Sequence, residues 1–313
     1  MQPSHHLCRQ HSPVNAAPAL LLDTFSLFFR AFFALPPMST RGGEPTNALY
    51  GFSALLLKLL REHPGAELCF ALDTGRPTFR HADFKPYKAG RASAPTPLVE
   101  QLRKLDQLFE RLAVPVLGSP GFEADDVLAS VAAGLRAEGR PTVVVSGDRD
   151  LLQLAHGSVQ VHFVGRRGKD AQTYDEAAVR TRFGVPPWRL PSFVALVGDP
   201  SDNLPGVPGI GLTTAKKLLE ERENIAELLR DAPTLAPPRV GQLLLLHAEQ
   251  VTQTEALARL RSDAPLPQPP HLAPVTTEAF AALREWFEAL EFKSLLPRLD
   301  KWLAAQRVGT PIA

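Results

Sequence analysis

Residues 142–150 read Thr142-Val-Val-Val-Ser146-Gly-Asp148-Arg-Asp150, three consecutive valines running into two acids. An unbroken β-branched run predicts a strand buried on both faces, which requires helices on either side of its sheet. A helical pattern over Glu123–Ala137 precedes it and another over Asp150–Ala155 follows. Working outward, Ala19–Asp23 (ALLLD) and Glu67–Asp73 (ELCFALD) share its apolar character, and each also ends on an aspartate. Amphipathic helices separate these strands. One runs through Phe25, Leu27, Phe28 and Phe32, and a second covers Ala48–Leu60. A third spans Pro97–Leu112, with Leu98, Leu102, Leu105, Phe109 and Leu112 on one stripe. Strand and helix in alternation predict an α/β fold with a parallel sheet. Beyond Trp188 the pattern is helical, over Pro191–Val197, Thr213–Leu219, Ala226–Leu229, Gln242–Ala256 and Glu278–Leu290. Residues 1–17 lack periodicity and read as a flexible tail, and Ala264–Pro274 (APLPQPPHLAP) reads as a linker too Pro-rich for helix or central strand.

Composition narrows the class. The 313 residues carry 34 Lys and Arg against 33 Asp and Glu, a net charge of +1, which excludes a uniformly basic nucleic-acid coat. Apolar residues at 44% exclude wholesale disorder. Two cysteines, Cys8 and Cys69, form neither a disulfide framework nor a zinc cluster and point to a reducing compartment, the cytoplasm. The most apolar early stretch, Pro18 to Pro37, is interrupted by Asp23 and Arg30, so no membrane span is expected.

The acids fall where chemistry happens in such folds. Ligands of open α/β sheets bind outside the carboxyl ends of the strands, and Asp23, Asp73 and Asp148 stand at three of those ends. Glu123, Asp125 and Asp126 open a helix, with Glu123 and Asp126 on one face and Asp125 at its edge. Asp150 follows Asp148, and Gly198-Asp-Pro-Ser-Asp-Asn203 adds Asp199 and Asp202. Each acid alone also reads as a helix cap or a first-turn acid. Together, without matching basic neighbours, they would repel, and divalent cations would neutralise them. Oxygen-only ligands point to Mg²⁺ or Mn²⁺, and two such ions in one crevice suit phosphodiester hydrolysis.

Two further patterns suggest nucleic acid. From Gly75 to Lys104, seven basic residues (Arg76, Arg80, Lys85, Lys88, Arg91, Arg103 and Lys104) face only Asp83 and Glu100, with Phe79, Phe84 and Tyr87 interleaved. Charges for phosphates and rings for bases suit a single strand; the same run also reads as a solvated face. The hairpin Gly206-Val-Pro-Gly209-Ile-Gly211 opens an apolar helix carrying Lys216 and Lys217. Such a turn offers backbone amides to a phosphate, in the manner of helix–hairpin–helix contacts to duplex DNA.

LLLDTFSLFFRAFFALPP, ALDTGRPTFRHADFKPYKAGR, GFEADDVLAS, SGDRDLLQL and GDPSDNLPGVPGIG, in this order, resemble the 5′→3′ exonuclease domain of bacterial DNA polymerase I and, more broadly, the flap endonuclease superfamily. The resemblance extends from about Leu20 to EFKSLL at Glu291–Leu296. It implies a PIN-like parallel-sheet nuclease core over 18–198 that includes a helical arch at about 75–105. A helical helix–three-turn–helix DNA-binding region would follow over 199–263, then the linker and a C-terminal helix packing back on the core over 264–313. It implies that all nine acids are metal-site residues. Asp73, Glu123, Asp125 and Asp126 would hold one ion, Asp148, Asp150, Asp199 and Asp202 the second, with Asp23 between. Arg30, Arg80, Lys88 and Arg91 would be basic active-site and arch residues, Tyr87 a stacking aromatic, and the carbonyls of Val207–Ile210 a K⁺ site. One departure is Thr213, where the family usually has Lys.

The expected activity is that of a Mg²⁺-dependent, structure-specific 5′→3′ exonuclease and 5′ flap endonuclease of DNA replication or repair. The expected partner is DNA with a 5′ single-strand/duplex junction, bound by a monomer. The sequence ends soon after the nuclease motifs, which reads as a stand-alone nuclease or a segment of one. Two rivals are a catalytically inactive flap-binding paralogue and a PIN-type ribonuclease. Retention of every acid argues against the first, and the hairpin motif argues against the second. A phosphatase built on Asp23 lacks the second Asp two residues on.

Overall fold

β1 (Ala19–Asp23) is buried at all five positions and sits at the centre of the sheet, as its apolar run requires. The computed structural model describes residues 17–165, 171–267 and 272–308; the expected tail, apart from Ala17, and Cys8 lie outside them. After β1 come α1 (Thr24–Ala34), α2 (Asn47–Glu62), β2 (Glu67–Ala71), α3 (Phe79–Asp83), α4 (Thr96–Leu102), α5 (Leu105–Leu112), β3 (Val116–Leu117) and α6 (Ala124–Ala137). β4 (Thr142–Ser146) runs into a 3₁₀ turn at Asp150–Leu154, then β5 (Val159–Phe163), β6 (Gln172–Tyr174) and α7 (Glu176–Phe183). A helical region follows: α8 (Leu190–Val197), α9 (Leu212–Glu220), α10 (Ile225–Asp231), α11 (Pro238–Leu246) and α12 (Ala248–Ala258). β7 (Ala273–Pro274), α13 (Thr277–Ala289) and α14 (Leu296–Val308) close the chain.

The sheet order is β3-β2-β1-β4-β5-β6, and β7 also pairs with β2. The β1, β2, β3, β4 and β5 pairings are parallel, while β6 and β7 join antiparallel at the margins. Because strand side chains alternate in direction, Leu21, Cys69 and Val144 point to one face, beneath α6 and the helical region. Leu20, Leu22, Phe70, Val143 and Val145 point to the other, beneath α1, α2, α5 and α13. Among the described residues no helix is long and apolar enough to cross a membrane.

Several boundaries differ from the sequence reading. The stripe over Pro97–Leu112 is cut into α4 and α5 at Arg103–Lys104, and Gln242–Ala256 is cut into α11 and α12 at His247. Asp150–Ala155 is 3₁₀ rather than α. Part of the Pro-rich stretch read as linker is docked. Ala264 is buried with its amide on Ser130 Oγ (3.0 Å), Ser119 Oγ donates to Pro265 O (2.9 Å), and Ala273–Pro274 forms β7.

Gln101, which no motif marks, is buried at the joint between α4 and α2. Its Oε1 accepts from the amides of Ala48 (2.7 Å) and Leu49 (3.2 Å), donors that a helix start leaves without intrahelical partners. Its Nε2 donates to Asn47 Oδ1 and Pro97 O, both at 3.0 Å. Asn47 Nδ2 in turn donates to Phe32 O near the end of α1 (2.9 Å), so two amide side chains in relay tie the exit of the basic segment to the helix capped by Asp23.

Candidate active site

The adjacency of β2, β1 and β4 brings three acidic strand ends into one crevice of about 910 Å³, lined by Asp23, Asp73, Glu123, Asp125 and Asp148. Asp23 is both N-cap and crevice residue. Its Oδ1 accepts from Ser26 N (3.3 Å), and its Oδ2 from Ser146 Oγ (2.5 Å). Asp73 Oδ1 accepts from Ala124 N (2.8 Å), which fixes the start of α6 beside the end of β2. Ser146 Oγ also accepts from the amide of Asp148, whose Oδ1 accepts from Asp150 N (3.0 Å).

These acids repel one another. Burial pushes the Asp23 carboxyl up to about 7; the Ser146 and Ser26 hydrogen bonds oppose this, and the charges of Asp148 and Asp73 add to it. Asp125 lies well above the ordinary carboxylate range, through burial and then the charges of Asp23 and Asp148. Asp150 is raised likewise, through burial and then Asp148, Asp202 and Asp199. Oxygen donors whose charges cannot all be tolerated together fit a hard divalent cation. Among the described residues, however, no group of three or more His, Cys, Asp or Glu side chains is already disposed to hold an ion.

Glu123, Asp126 and Asp202 are paired with cations of the 75–105 segment. That segment comprises α3, a turn and α4, folded down over the crevice. Lys88 Nζ lies 3.0 Å from both oxygens of Glu123 and 3.5 Å from Asp202 Oδ2. Burial disfavours its charge, but Glu123, Asp202 and Asp125 outweigh that and raise its pKa. Arg91 Nη2 reaches Asp202 Oδ1 at 2.6 Å. A backbone bond from Lys88 N to Asp202 O (3.0 Å) and a side-chain bond from Asn203 Nδ2 to Pro86 O (2.9 Å) fasten the segment to the loop after α8. Lys88 adopts φ +53°, a left-handed conformation that costs a non-glycine residue about 1 kcal/mol or more.

This geometry places four of the candidates elsewhere than the sequence reading expected. Tyr87 is buried, and its hydroxyl donates to Glu123 (2.9 Å) and Asp202 (3.0 Å), so its ring is enclosed rather than offered to a base. Burial and those two carboxylates push its phenol far above the ordinary range, so it stays a donor. Asp126 is fully buried on the side of α6 away from the crevice, and Arg80 is buried against it in a two-bonded pair. They do not line the crevice, because an N-cap at Glu123 turns Asp125 towards it and Asp126 inwards. Gly206 does not face outwards: an added Cβ would meet the backbone of Val197 and Gly198 at 2.4 and 2.6 Å.

The remaining candidates divide. Asp199 Oδ1 is engaged by Ser201 N (2.8 Å) and Ser201 Oγ (2.7 Å) and lines a second cavity of about 1300 Å³ beside Asp148 and Asp150. Arg30 lines both cavities, donates to Gly147 O and lies 5.1 Å over the Phe163 ring. Gly209 (φ +91°) and Gly211 are exposed at the hairpin, and Gly211 is the N-cap of α9. Lys217 is exposed. The Lys216 stem packs over Gly184, and its ammonium lies 3.5 Å from Arg182 O at the end of α7. Phe25, Phe29 and Phe33 form an aromatic wall of the acid crevice, and Phe33 is 66% exposed. Periodicity alone placed the helix, and only exposure marks Phe33.

Acids at parallel-strand ends under a basic fold of chain suit one substrate class, a phosphodiester backbone, and place the chain among the nucleases. Residues 18–184 match the 5′-3′ exonuclease N-terminal resolvase-like domain, and residues 185–279 match the 5′-3′ exonuclease C-terminal SAM fold. The chain belongs to the 5′-3′ exonuclease family. It is 39% identical over 294 residues to DNA polymerase I of Mycobacterium tuberculosis, a match covering 93% of this chain and 32% of that protein. It is also 39% identical over 278 residues to the thermostable DNA polymerase I of Thermus thermophilus, covering 88% and 32%. The chain thus spans about a third of the length of the curated relatives it matches. Solved structures share the fold, among them the following two. T5 5′-exonuclease with divalent zinc bound has a TM-score of 0.62 at 19% identity, covering 92% of this chain and 97% of that one. The catalytic core of Rad2 in complex with DNA substrate has a TM-score of 0.58 at 15% identity, covering 90% and 92%.

Proposed function

We propose that the chain hydrolyses DNA phosphodiesters at a 5′ single-strand/duplex junction, as a 5′→3′ exonuclease and 5′ flap endonuclease of replication or repair. The observation that carries this reading is the Lys88 ammonium suspended between Glu123 and Asp202, over a group of acids that repel one another. A phosphate entering there can take over Lys88 and Arg91 as its own partners. Glu123 and Asp202 would then be free, with Asp23, Asp73, Asp125, Asp148, Asp150 and Asp199, to hold Mg²⁺, for which Mn²⁺ would substitute; two ions suit this donor set. When bound, such ions lower the pKa of water and stabilise charge on the reacting phosphate. Tyr87 stays protonated and orients Glu123 and Asp202, while Phe25, Phe29 and Phe33 wall one side of the crevice.

The duplex is assigned to the exposed hairpin, where Gly209, Gly211 and the start of α9 offer amides, Lys217 adds charge, and the carbonyls of Val207–Ile210 are the place for a K⁺ ion. The chain acts as a monomer in this reading, and two cysteines in 313 residues support a reducing compartment, the cytoplasm. The test is gel analysis of labelled flap, nicked and gapped duplexes. EDTA abolishes cleavage, Mg²⁺ or Mn²⁺ restores it, and an RNA 5′ strand is cut no faster than DNA. Cleavage that survives exhaustive chelation refutes the metal assignment, and binding without cleavage favours the inactive paralogue.

Gly147 supplies an independent check on Arg30. An added Cβ would sit 1.5 Å from Arg30 Nε, so Gly147→Ala evicts a flexible side chain and leaves the sheet intact. A charge-assisted phosphate contact contributes about 1.5 kcal/mol, or roughly tenfold in affinity. Gly147→Ala and Arg30→Ala therefore each raise the flap dissociation constant about tenfold, and the double variant binds no worse than either. Additive losses in a filter-binding titration would show that Gly147 acts by another route.

A further inference from the structure

We propose that Arg80 is a positioning residue that couples duplex docking on the helical region to the placement of Glu123 and Asp125. The pair it forms with Asp126 does not itself bind metal or phosphate. Arg80 has five guanidinium hydrogens, and each has an acceptor. Nη1 and Nη2 grip Asp126 at 2.6 and 2.8 Å, and Nη1 also reaches Glu123 Oε2 at 3.2 Å. Nε donates to Leu257 O (2.8 Å) and Nη2 to Arg259 O (3.1 Å), at the end of α12. Asp126 is equally committed, since besides Arg80 it accepts the amides of Glu123 (3.1 Å) and Arg261 (2.9 Å). Arg80 is 2% exposed and Asp126 is 0% exposed.

One guanidinium therefore fastens three pieces of chain: α3 at the root of the basic segment, the first turn of α6, and the exit of α12. α12 packs along α8, which leads into the loop bearing Asp199 and Asp202 and on to the hairpin. A planar fork matched to a carboxylate and to two carbonyls has one low-energy arrangement, so a shift of α12 moves the start of α6 with it. Lysine keeps the charge but cannot span these acceptors.

The inference rests on the nuclease reading above, and its experiments separate the two. In EDTA, a blunt duplex without a flap is added to the parent chain and amide hydrogen exchange is followed. Exchange at Glu123 and Ala124 slows about fivefold or more if docking is coupled to α6; unchanged exchange overturns the proposal whether or not the chain cleaves DNA. Next, Mn²⁺ affinity is titrated without DNA. Arg80→Lys and Asp126→Asn weaken Mn²⁺ binding by about the same factor, roughly tenfold or more, as two halves of one unit that holds ligands in place, whereas a loss confined to Asp126→Asn, or none in either variant, refutes the assignment. Finally, single-turnover cleavage of a flap substrate is compared with that of a 5′ single strand lacking duplex. In Arg80→Lys the advantage of the flap substrate falls about tenfold with flap affinity unchanged. The double variant matches the single ones, as expected of residues acting as one unit. Equal losses on both substrates would mark a merely structural pair. If either variant does not fold, the exchange measurement on the parent still decides.

Discussion

Asp125→Asn cleaves a 5′ flap roughly a thousandfold more slowly than the parent chain while binding it at least as tightly. Asp125 lines the acid crevice at the first turn of α6, and its raised proton affinity shows how strongly burial, Asp23 and Asp148 oppose its charge. A ligand whose charge is tolerated only beside a cation contributes several kcal/mol to the transition state, and each 1.4 kcal/mol is about tenfold in rate. Removing that charge also lessens repulsion, both within the crevice and towards DNA phosphates. In EDTA the variant therefore melts higher than the parent by about 2–4 °C, the equivalent of roughly 1 kcal/mol for a chain of this size. The rise excludes misfolding as the cause of lost activity. Cleavage within about threefold of the parent would place the chemistry elsewhere.

The sheet was legible because its strands are apolar throughout. Ala19–Asp23, Glu67–Ala71 and Thr142–Ser146 need partners on both faces, and their adjacency follows from parallel pairing. β5 was not legible: Val159-Gln-Val-His-Phe163 alternates beside an antiparallel margin, and its polar Gln160 and His162 interrupt the apolar signal. Helix breaks at Arg103–Lys104 and His247 were hidden because the apolar stripe runs across them. β7 was hidden by Pro-rich composition. Its two residues pair only at the edge of β2, where a proline costs little.

The acids were legible as a group because strand ends and helix starts are fixed by the fold. Their division was not. Whether Asp125 or Asp126 faces the crevice depends on where α6 begins, a matter of one residue. That Tyr87 and Arg80 turn inwards depends on partners more than thirty positions away, at Glu123, Asp202 and Leu257. Composition counted seven cations against two acids in the 75–104 segment, and that imbalance is offset by acids lying outside it. Three of those cations, Arg80, Lys88 and Arg91, bond Glu123, Asp126 and Asp202.

Lys88→Ala slows single-turnover cleavage about a hundredfold, while the flap dissociation constant changes about threefold or less. In the free chain the ammonium is shared by Glu123 and Asp202, so a phosphate gains it only by displacing carboxylates of similar charge. The exchange is nearly balanced in the ground state and contributes little affinity. As the phosphodiester breaks, negative charge grows on its oxygens and the carboxylates no longer compete equally; a cation fixed nearby then stabilises the transition state by about 3 kcal/mol. Arg91 differs because its side chain is 44% exposed and bonds Asp202 alone. Arg91→Ala therefore loses mainly affinity, with the slope of log K against log salt falling by about 0.7 on single strand. Loss of the Lys88 ammonium leaves Arg80 on Glu123 and Arg91 with Tyr87 on Asp202, so the crevice stays folded. If Lys88→Ala weakened binding alone and cleaved at the parent rate under saturating protein, the ammonium would be a docking charge, and the handover from carboxylate to phosphate would be wrong.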